Sequence, residues 1–231
     1  MSDISPIEFN FPEAERLLQN QLDELFVRWR NTIHDLPPSL GLNESDFVSD
    51  GFYPYYLSQK VKILYIGRES RDTPGCDYIK LLFKAYKNKR IGSQHINFNN
   101  FHRRMIYIAY GLNHGMCDWT RDIPYADKIS ECFGTPEGIS FAFMNLSKFS
   151  NESAQWQSYW PMINKSVRAS SGETYNLISE EISILSPDLI ISMNLENHLP
   201  DLGSITPIRP GKPAGTYWYN NGEKKTLLLD T

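Results

Sequence analysis

Apolar residues near the start of the chain recur with the spacing of one helix face. They fall at three- and four-residue steps, at Leu18, Leu22, Leu25, Trp29 and Ile33. Pro12 precedes this run and Pro37–Pro38 follows it. Because proline is tolerated at helix starts but not in helix interiors, the pattern predicts one amphipathic helix between them.

Farther along, apolar residues form short continuous runs instead. Three of these runs predict strands: "VKILYIG" (61–67), "ISFAFMN" (139–145) and "DLIISMN" (188–194). Such a run is typical of a strand covered on both faces of its sheet. The tail "TYWYNNGEKKTLLLD" (216–230) has two β-rich halves around Asn-Gly, which predicts a hairpin or a bent return.

Helical periodicity separates the predicted strands. One helix presents an apolar side made of Ile79, Leu82, Phe83 and Tyr86. A second is predicted from residue 98 to a glycine cap at Gly111. Residues 154–167 are predicted to be helical in part, with Pro161 interrupting them. Residues 175–185 form a last short helix, closed by Ser186-Pro187.

Strands that alternate with helices predict an α/β fold with right-handed crossovers. We expect a three-layer αβα sandwich around a short, mainly parallel central sheet of about four strands. Residues 1–231 should form a single α/β domain, with 1–60 as an N-terminal helical extension packed on it.

Composition limits the classes of function. The apolar runs are too short to cross a bilayer, and the first residues lack the basic and apolar regions of a secretory signal. The three cysteines, Cys76, Cys117 and Cys132, include no C-x-x-C pair, which favours reduced thiols in the cytoplasm. The histidines show no H-x-x-x-H spacing, so we expect no metal centre. We also expect no cofactor.

The net charge of −4 is unevenly distributed. Residues 78–117 contain no acidic residue and seven basic ones: Lys80, Lys84, Lys87, Lys89, Arg90, Arg103 and Arg104. The rest of the chain therefore carries a net charge of −11. A basic face on an acidic protein can bind a polyanion backbone, with Lys84, Lys87, Lys89, Arg90, Arg103 and Arg104 as the candidates. The alternative is that this block is only the solvated side of a helix.

Polar residues follow the first two predicted strands directly, at Gly67–Asp72 ("GRESRD") and Asn145–Lys148 ("NLSK"). Ligands of parallel α/β sheets bind beyond the carboxyl ends of strands, so a site is expected there. Neither a G-x-x-x-x-G-K-[ST] nor a G-x-G-x-x-G phosphate loop is present, and no G-x-S-x-G nucleophile turn either.

Glu69 and Asn145 remain as candidate chemistry at the tips of neighbouring strands. A carboxylate can orient water and stabilise positive charge, and a carboxamide can pair with the edge of an amide-like heterocycle. That combination suits hydrolysis of a base–sugar bond, in which the sugar becomes cationic and the leaving base must be recognised.

These segments resemble the uracil-DNA glycosylase superfamily. The family's first motif reads G-Q-D-P-Y or G-E-x-P-G, and "GRESR" is similar to it, with Gly67 on the glycine and Glu69 on the water-activating acid. The "FMN" that ends at Asn145 resembles the base-reading strand, and "LSPDLIISMN" the third strand. The resemblance implies a base pocket formed by Gly67, Arg68, Ser70, Arg71 and Asn145, and DNA or a nucleobase-containing ligand as partner.

Two departures from the family pattern are visible. Ser70-Arg71 replaces the family's Pro-Tyr or Pro-Gly. The family's His-Pro-Ser loop is expected after the last strand, but the sequence ends at Thr231, so either residues follow it or the protein lacks the loop. His198 is the nearest histidine by topology that could replace it.

Simpler interpretations stay open for each residue. Glu69 could be an ordinary surface carboxylate beside two arginines, and Asn145 a turn residue. The aromatic residues Trp119, Trp156 and Trp160 could stack bases or belong to the core. The function hypotheses are accordingly a glycosylase, a non-catalytic binding protein of the same fold, and another hydrolase or transferase on a doubly wound sheet.

Overall fold

The fold is built around one mixed β-sheet. The computed structural model describes residues 9–115, 118, 121–154, 157–211, 214–222 and 224–231, and for residue 196 the backbone only. Seven strands of the described residues form this sheet: β1 (Gly51–Phe52), β2 (Ile63–Gly67), β5 (Ala142–Asn145), β6 (Leu189–Ser192), β7 (Ser204–Arg209), β8 (Gly215–Asn220) and β9 (Lys225–Asp230). A separate small hairpin consists of β3 (Arg90–Ile91) and β4 (Gln94–His95).

The strand order across the sheet is β1-β5-β2-β6-β9-β8-β7. The central strands β5, β2, β6 and β9 run parallel, whereas β1 pairs antiparallel at one edge and β8 and β7 at the other. The predicted α/β class is confirmed. The prediction of about four strands is wrong for the whole sheet, because antiparallel strands extend the parallel centre on both sides.

Of the two alternatives for the C-terminal tail, the hairpin is confirmed. Strands β8 and β9 pair antiparallel up to Asn220 and Lys225, and the chain turns between these residues. Strand β9 also pairs parallel with β6, in the register Leu189↔Leu227 to Ser192↔Asp230. The apolar half of the hairpin is therefore the fourth parallel strand of the sheet.

The α-helices of the described residues are α1 (Arg16–His34), α2 (Tyr78–Lys87), α3 (Asn100–Asn113), α4 (Ala126–Ile129), α5 (Trp160–Ala169) and α6 (Leu177–Leu185). Asparagine or aspartate side chains begin three of them, since Asp77, Asn99 and Asn176 each accept a hydrogen bond from a backbone N–H of the first turn. Short 3₁₀ turns cover Glu13–Glu15, Pro38–Leu40, Glu44–Asp46, Ile96–Phe98, Ser130–Cys132 and Glu196–Leu202.

Two helix predictions were wrong at their ends. Helix α3 continues past Gly111 to Asn113, so that glycine is not a cap. Pro161 does not interrupt a helix but occupies the first turn of α5, where no intrahelical partner is needed for its missing N–H.

Apolar side chains cover both faces of the sheet. Leu64 and Ile66 of β2 belong to a core cluster with α1, α5 and α6, whereas Ile63 and Tyr65 belong to one with α2, α3 and α4. This alternation follows from the period of two along a strand. Helix α1 and strand β1 both lie in the segment predicted as an N-terminal extension, and both pack into the domain.

No helix in the described part of the chain is long and apolar enough to cross a membrane.

Candidate functional site

The carboxyl ends of β5, β2 and β6 meet at one edge of the sheet. Gly67, the last residue of β2, is paired in register with Asn145, the last residue of β5. The chain leaves β2 toward β5 on one side, and leaves β6 toward β9 on the other. The topological switch point of the parallel strands therefore lies between β2 and β6, where ligands of such sheets bind.

The loops that follow β2 and β5 are joined by backbone hydrogen bonds. The N–H of Ser147 donates to the carbonyl of Arg68 at 2.8 Å, and the N–H of Asn151 donates to the carbonyl of Ser70 at 2.8 Å. These hydrogen bonds continue the parallel pairing of β2 and β5 beyond the ends of the two strands. The two predicted tips, Gly67–Asp72 and Asn145–Lys148, thus form one structural unit.

Glu69 lies half-buried between this unit and the start of α5. Its Oε1 accepts hydrogen bonds from Asn151 Nδ2 at 3.3 Å and from the backbone N–H of Tyr159 at 3.1 Å. Tyr159 is the residue immediately before α5, so the carboxylate satisfies one of the free N–H groups at that helix end. Both bonds use the same oxygen, and Oε2 makes no hydrogen bond to a described residue.

The backbone N–H of Asn145 is hydrogen-bonded, whereas its side-chain Nδ2 is not, among the residues that the structure describes. Its N–H donates to Asp50 Oδ2 at 2.6 Å, and its side chain is almost wholly buried, with 2% of the residue exposed. Its Nδ2 has no hydrogen-bond partner among the described residues. A buried donor without a partner costs about 1–3 kcal/mol and calls for an explanation such as a ligand or a water.

Gly67 is required by the position of the Asn145 side chain. A Cβ at residue 67 would lie 2.6 Å from Asn145 Oδ1 and 3.1 Å from the Phe143 ring. The carboxamide therefore fills the space that a side chain at residue 67 would need.

Aromatic rings surround this face of the two strands. Tyr78 and Phe101 pack against Phe143, with ring centroids 5.8 and 6.5 Å away. Burial, with the charge of Asp50, raises the pKa of Tyr78 to about 12, so its hydroxyl stays protonated. The motif search missed these residues, although the alternation in "FAFMN" places Phe143 on the same side of β5 as Asn145.

The Arg68 side chain bridges the ends of β2 and β6, at the topological switch point. Its Nε donates to the carbonyls of Met193 and Asn194 at 3.3 and 3.2 Å, just after β6. Its guanidinium lies 5.4 Å from the centre of the Trp160 ring. His198 stacks on Trp160 with a centroid distance of 5.1 Å.

His198 therefore lies at the same edge of the sheet as the other predicted residues. Its Nδ1 lies 2.8 Å from Asp201 Oδ2, so that carboxylate orients the imidazole. The structure thus brings Arg68, Trp160 and His198 together. Trp160 directly follows Tyr159, whose N–H donates to Glu69.

Ser70 and Arg71 hold the loop rather than extend the face around Asn145. Ser70 is buried and its Oγ accepts a hydrogen bond from Thr73 Oγ1 at 2.8 Å. Arg71 Nη2 donates to the carbonyl of Ser153 at 2.7 Å.

A buried ion triad lies directly beneath the site. Lys148 Nζ is 2.5 Å from Asp50 Oδ1 and 2.7 Å from Glu181 Oε2, and all three side chains are fully buried. Burial, followed by the charge of Asp50, raises the pKa of Glu181 well above its ordinary value. Burial alone would lower the pKa of Lys148, but the two carboxyl groups outweigh it and raise that pKa. No sequence motif indicated this triad, which is joined to Asn145 through Asp50.

The predicted backbone-binding residues divide into two groups. Lys89 forms an ion pair with Glu131 at 2.7 Å, and Lys87 Nζ donates to the carbonyl of the same residue at 3.1 Å. Arg103 donates to the carbonyl of Asn97 at 2.8 Å. The exposed group consists of Lys84, Arg90 and Arg104, of which Arg90 also donates from Nη2 to the carbonyl of Ser93 within its hairpin.

Other predicted features lie elsewhere. A cavity of about 910 Å³ separates α1 from the start of α2, and it reaches Asp50 but not Glu69 or Asn145. Trp119, Trp156 and Cys117 fall outside the described residues. Among the residues that are described, no group of three His, Cys, Asp or Glu side chains could hold a metal ion.

Comparisons of the chain with protein-family models, curated proteins and solved structures find no match.

Proposed function

We propose that this chain is a uracil-DNA-glycosylase-like protein that hydrolyses the N-glycosidic bond between a nucleobase and its sugar. The observation that carries the proposal is the pairing of Gly67 with Asn145 at the ends of adjacent parallel strands, with Glu69 two residues farther on. The same proposal includes the finer fold assignment, a three-layer αβα sandwich of that family's type. The parallel strands and the helices on both faces support it.

Asn145 would recognise the base. Its Nδ2 is a donor without a partner among the described residues, so a carbonyl oxygen on the edge of a base would satisfy it. With only 2% of the residue exposed, the surrounding side chains must move before a base can reach it. A flipped-out nucleotide would supply the binding energy for that movement.

Glu69 would act on the sugar. Its Oε1 is fixed by Asn151 and Tyr159, which leaves Oε2 as the atom that can orient a water. The same carboxylate would stabilise the positive charge that develops on the sugar as the base departs. The exposed basic residues Lys84, Arg90 and Arg104 would contact phosphates of a DNA partner, so affinity should fall steeply with salt.

A base-release assay on modified oligonucleotides tests the proposal. We expect release of at least one base by the wild type, and a loss of about 10²- to 10⁴-fold in rate for Glu69→Gln. Glu173→Gln is the matched control, because Glu173 is an exposed carboxylate in the loop between α5 and α6. Activity that survives Glu69→Gln at the level of the control would rule out this mechanism.

A non-catalytic protein of the same fold is the second candidate. Two hydrogen bonds already engage Glu69 Oε1, and the Asn145 amide is closed from solvent. Such a protein would bind a nucleobase, a nucleotide or a protein at this edge without chemistry. Saturable binding that depends on Asn145, with no base release from the full panel, would favour it over the glycosylase.

We also propose the cytoplasm as the compartment of the protein. The support is chemical: Cys76 and Cys132 are free thiols in the structure.

A further inference from the structure

Two phenyl rings stand out on the surface beside the candidate site. Phe98 is 70% exposed and Phe101 is 44% exposed, in the 3₁₀ turn before α3 and in its first turn. Single exposed apolar side chains are common on protein surfaces, so what distinguishes this pair is that the two rings lie three residues apart within a basic segment. Phe101 also packs on Phe143, which borders Gly67 and Asn145.

Side-chain hydrogen bonds hold the turn that carries these rings. Gln94 Nε2 donates to the carbonyl of Phe98 at 3.0 Å, and Asn99 Nδ2 donates to Gln94 Oε1 at 3.3 Å. Asn99 Oδ1 accepts the N–H of His102 at 3.0 Å and so caps α3. Arg103 Nη1 completes the frame with a 2.8 Å bond to the carbonyl of Asn97. The β3–β4 hairpin, the 3₁₀ turn and the start of α3 thus present both rings from one ordered unit.

Two exposed arginines, Arg90 and Arg104, belong to the elements that carry the rings, and Arg90 Nη2 also donates to the carbonyl of Ser93 in its own hairpin. Arg90 is paired in register with His95, whose ring lies 6.0 Å from that of Phe98. Arg104 lies one helical turn after Phe101 on α3. Residues 78–117 contain no acidic residue, and Asp127 and Glu131, which face this segment from α4 and the following turn, are bound by Asn97 and Lys89.

We infer that this surface binds single-stranded nucleic acid, with bases stacked on Phe98 and Phe101 and phosphates held by Arg90 and Arg104. Exposed aromatic rings between cationic side chains are the arrangement that recognises an unpaired strand, because every base offers a π-face and every linkage a negative charge. A duplex hides its base faces and cannot use the rings. The inference does not require that the chain release any base.

Fluorescence anisotropy with a labelled oligothymidylate of about 12 nucleotides measures the binding directly. We expect Phe98→Ala to weaken it about 5- to 150-fold, the range found for loss of one stacked base. Phe101→Leu keeps the apolar contact with Phe143 and should weaken binding in the same range. Tyr175→Ala is the control, since Tyr175 is an aromatic residue of similar exposure, 42%, in the loop between α5 and α6.

Salt dependence separates stacking from charge. The phenylalanine variants should leave the slope of log Kd against log salt unchanged, whereas Arg104→Gln should reduce it by about 0.7, the loss of one phosphate contact on a single strand. A blunt duplex of the same length should compete poorly.

Three results would overturn the inference. The first is no anisotropy change with the wild type, which would leave a protein partner for this surface. The second is equal affinity for the duplex, and the third is wild-type affinity in both phenylalanine variants. Because base release is not measured, failure of the glycosylase proposal would leave this experiment intact.

Discussion

Lys148→Met removes the cation of the buried triad while leaving most of its side-chain volume. The Nζ of Lys148 lies between Asp50 Oδ1 at 2.5 Å and Glu181 Oε2 at 2.7 Å, under the rings of Phe26 and Trp29. Methionine fills the space of the lysine stem and keeps its apolar contacts. The substitution therefore tests the charge rather than the packing.

The expected loss of stability follows from burial. Removing one partner of a buried ion pair costs about 3–5 kcal/mol, because the remaining charge has neither a partner nor water. Here Asp50 loses its buried counter-ion and Glu181 loses its contact with the ammonium, and all three side chains are fully buried. We expect a loss within that range, against a total stability of about 5–15 kcal/mol for a typical domain.

The loss should also depend on pH. The raised pKa of Glu181 means that the folded protein keeps a proton that the unfolded chain releases above about pH 4.3. The stability contributed by this group is therefore complete at low pH and falls by up to about 1.4 kcal/mol per pH unit as the pH rises toward the folded pKa. The Lys148 ammonium opposes this shift, so Lys148→Met should lose more stability at pH near 8 than near 5.

Urea unfolding of wild type and variant at both pH values measures these effects. Lys84→Met is the control, since Lys84 is exposed on α2 and its substitution should change stability by no more than about 0.5 kcal/mol. Adding Glu181→Gln to Lys148→Met should recover part of the loss, because a neutral amide replaces the second carboxyl group. A Lys148→Met protein as stable as the control would refute the role of the triad.

Two further substitutions or conditions test the site and its surroundings. Gly67→Ala should cost about 1–3 kcal/mol in urea unfolding through its contact with Asn145 Oδ1, and Gly67→Ala/Asn145→Ala should recover most of that cost; equal losses in both would contradict the contact. Burial lowers the pKa of His102 to about 4, so the unfolded chain takes up a proton first as the pH falls. Stability should then drop by about 3 kcal/mol between pH 7 and pH 4, and His102→Gln should remove this dependence; an unchanged pH profile in the variant would contradict it.

The parallel centre of the sheet was predictable because its strands are buried on both faces. Strands β2, β5 and β6 are continuous apolar runs, and such runs have few other uses in a chain of this composition. The edges were not predictable. Strand β1 has only two residues, and β7 ("SITPIR") is mostly exposed, so its pairing with β8 depends on a neighbour rather than on its own pattern.

The predicted helix end at Gly111 and the predicted helix interruption at Pro161 were wrong because tertiary contacts, not local sequence, decide where a helix ends. Gly111 lies inside α3 rather than at its end, and a Cβ there would come within 3.4 Å of the Ile123 side chain. Pro161 lies in the first turn of α5 rather than interrupting a helix. Each residue permits more than one position in a helix, and the packing around it decides between them.

The candidate site shows the same division between local and distant information. Glu69 and Asn145 could be identified because each follows an apolar strand directly. The partners of Glu69, which are Asn151 and the N–H of Tyr159, could not, because they lie 82 and 90 residues away in the chain. A carboxylate at a strand tip is thus visible in the sequence, but the atom that stays available for chemistry is not.

Lys148 is the sharpest case of missing distant information. In "NLSKFS" it looks like a surface lysine, because no local pattern distinguishes a buried cation from a solvated one. Its burial is decided by Glu181 on α6 and by Asp50 before β1. Asp50 in turn fixes the N–H of Asn145. Glu181 and Asp50 contact the same ammonium, and Asp50 also contacts Asn145, the residue proposed to read the base. The stability of the core and the geometry of the candidate site consequently depend on the same buried charges.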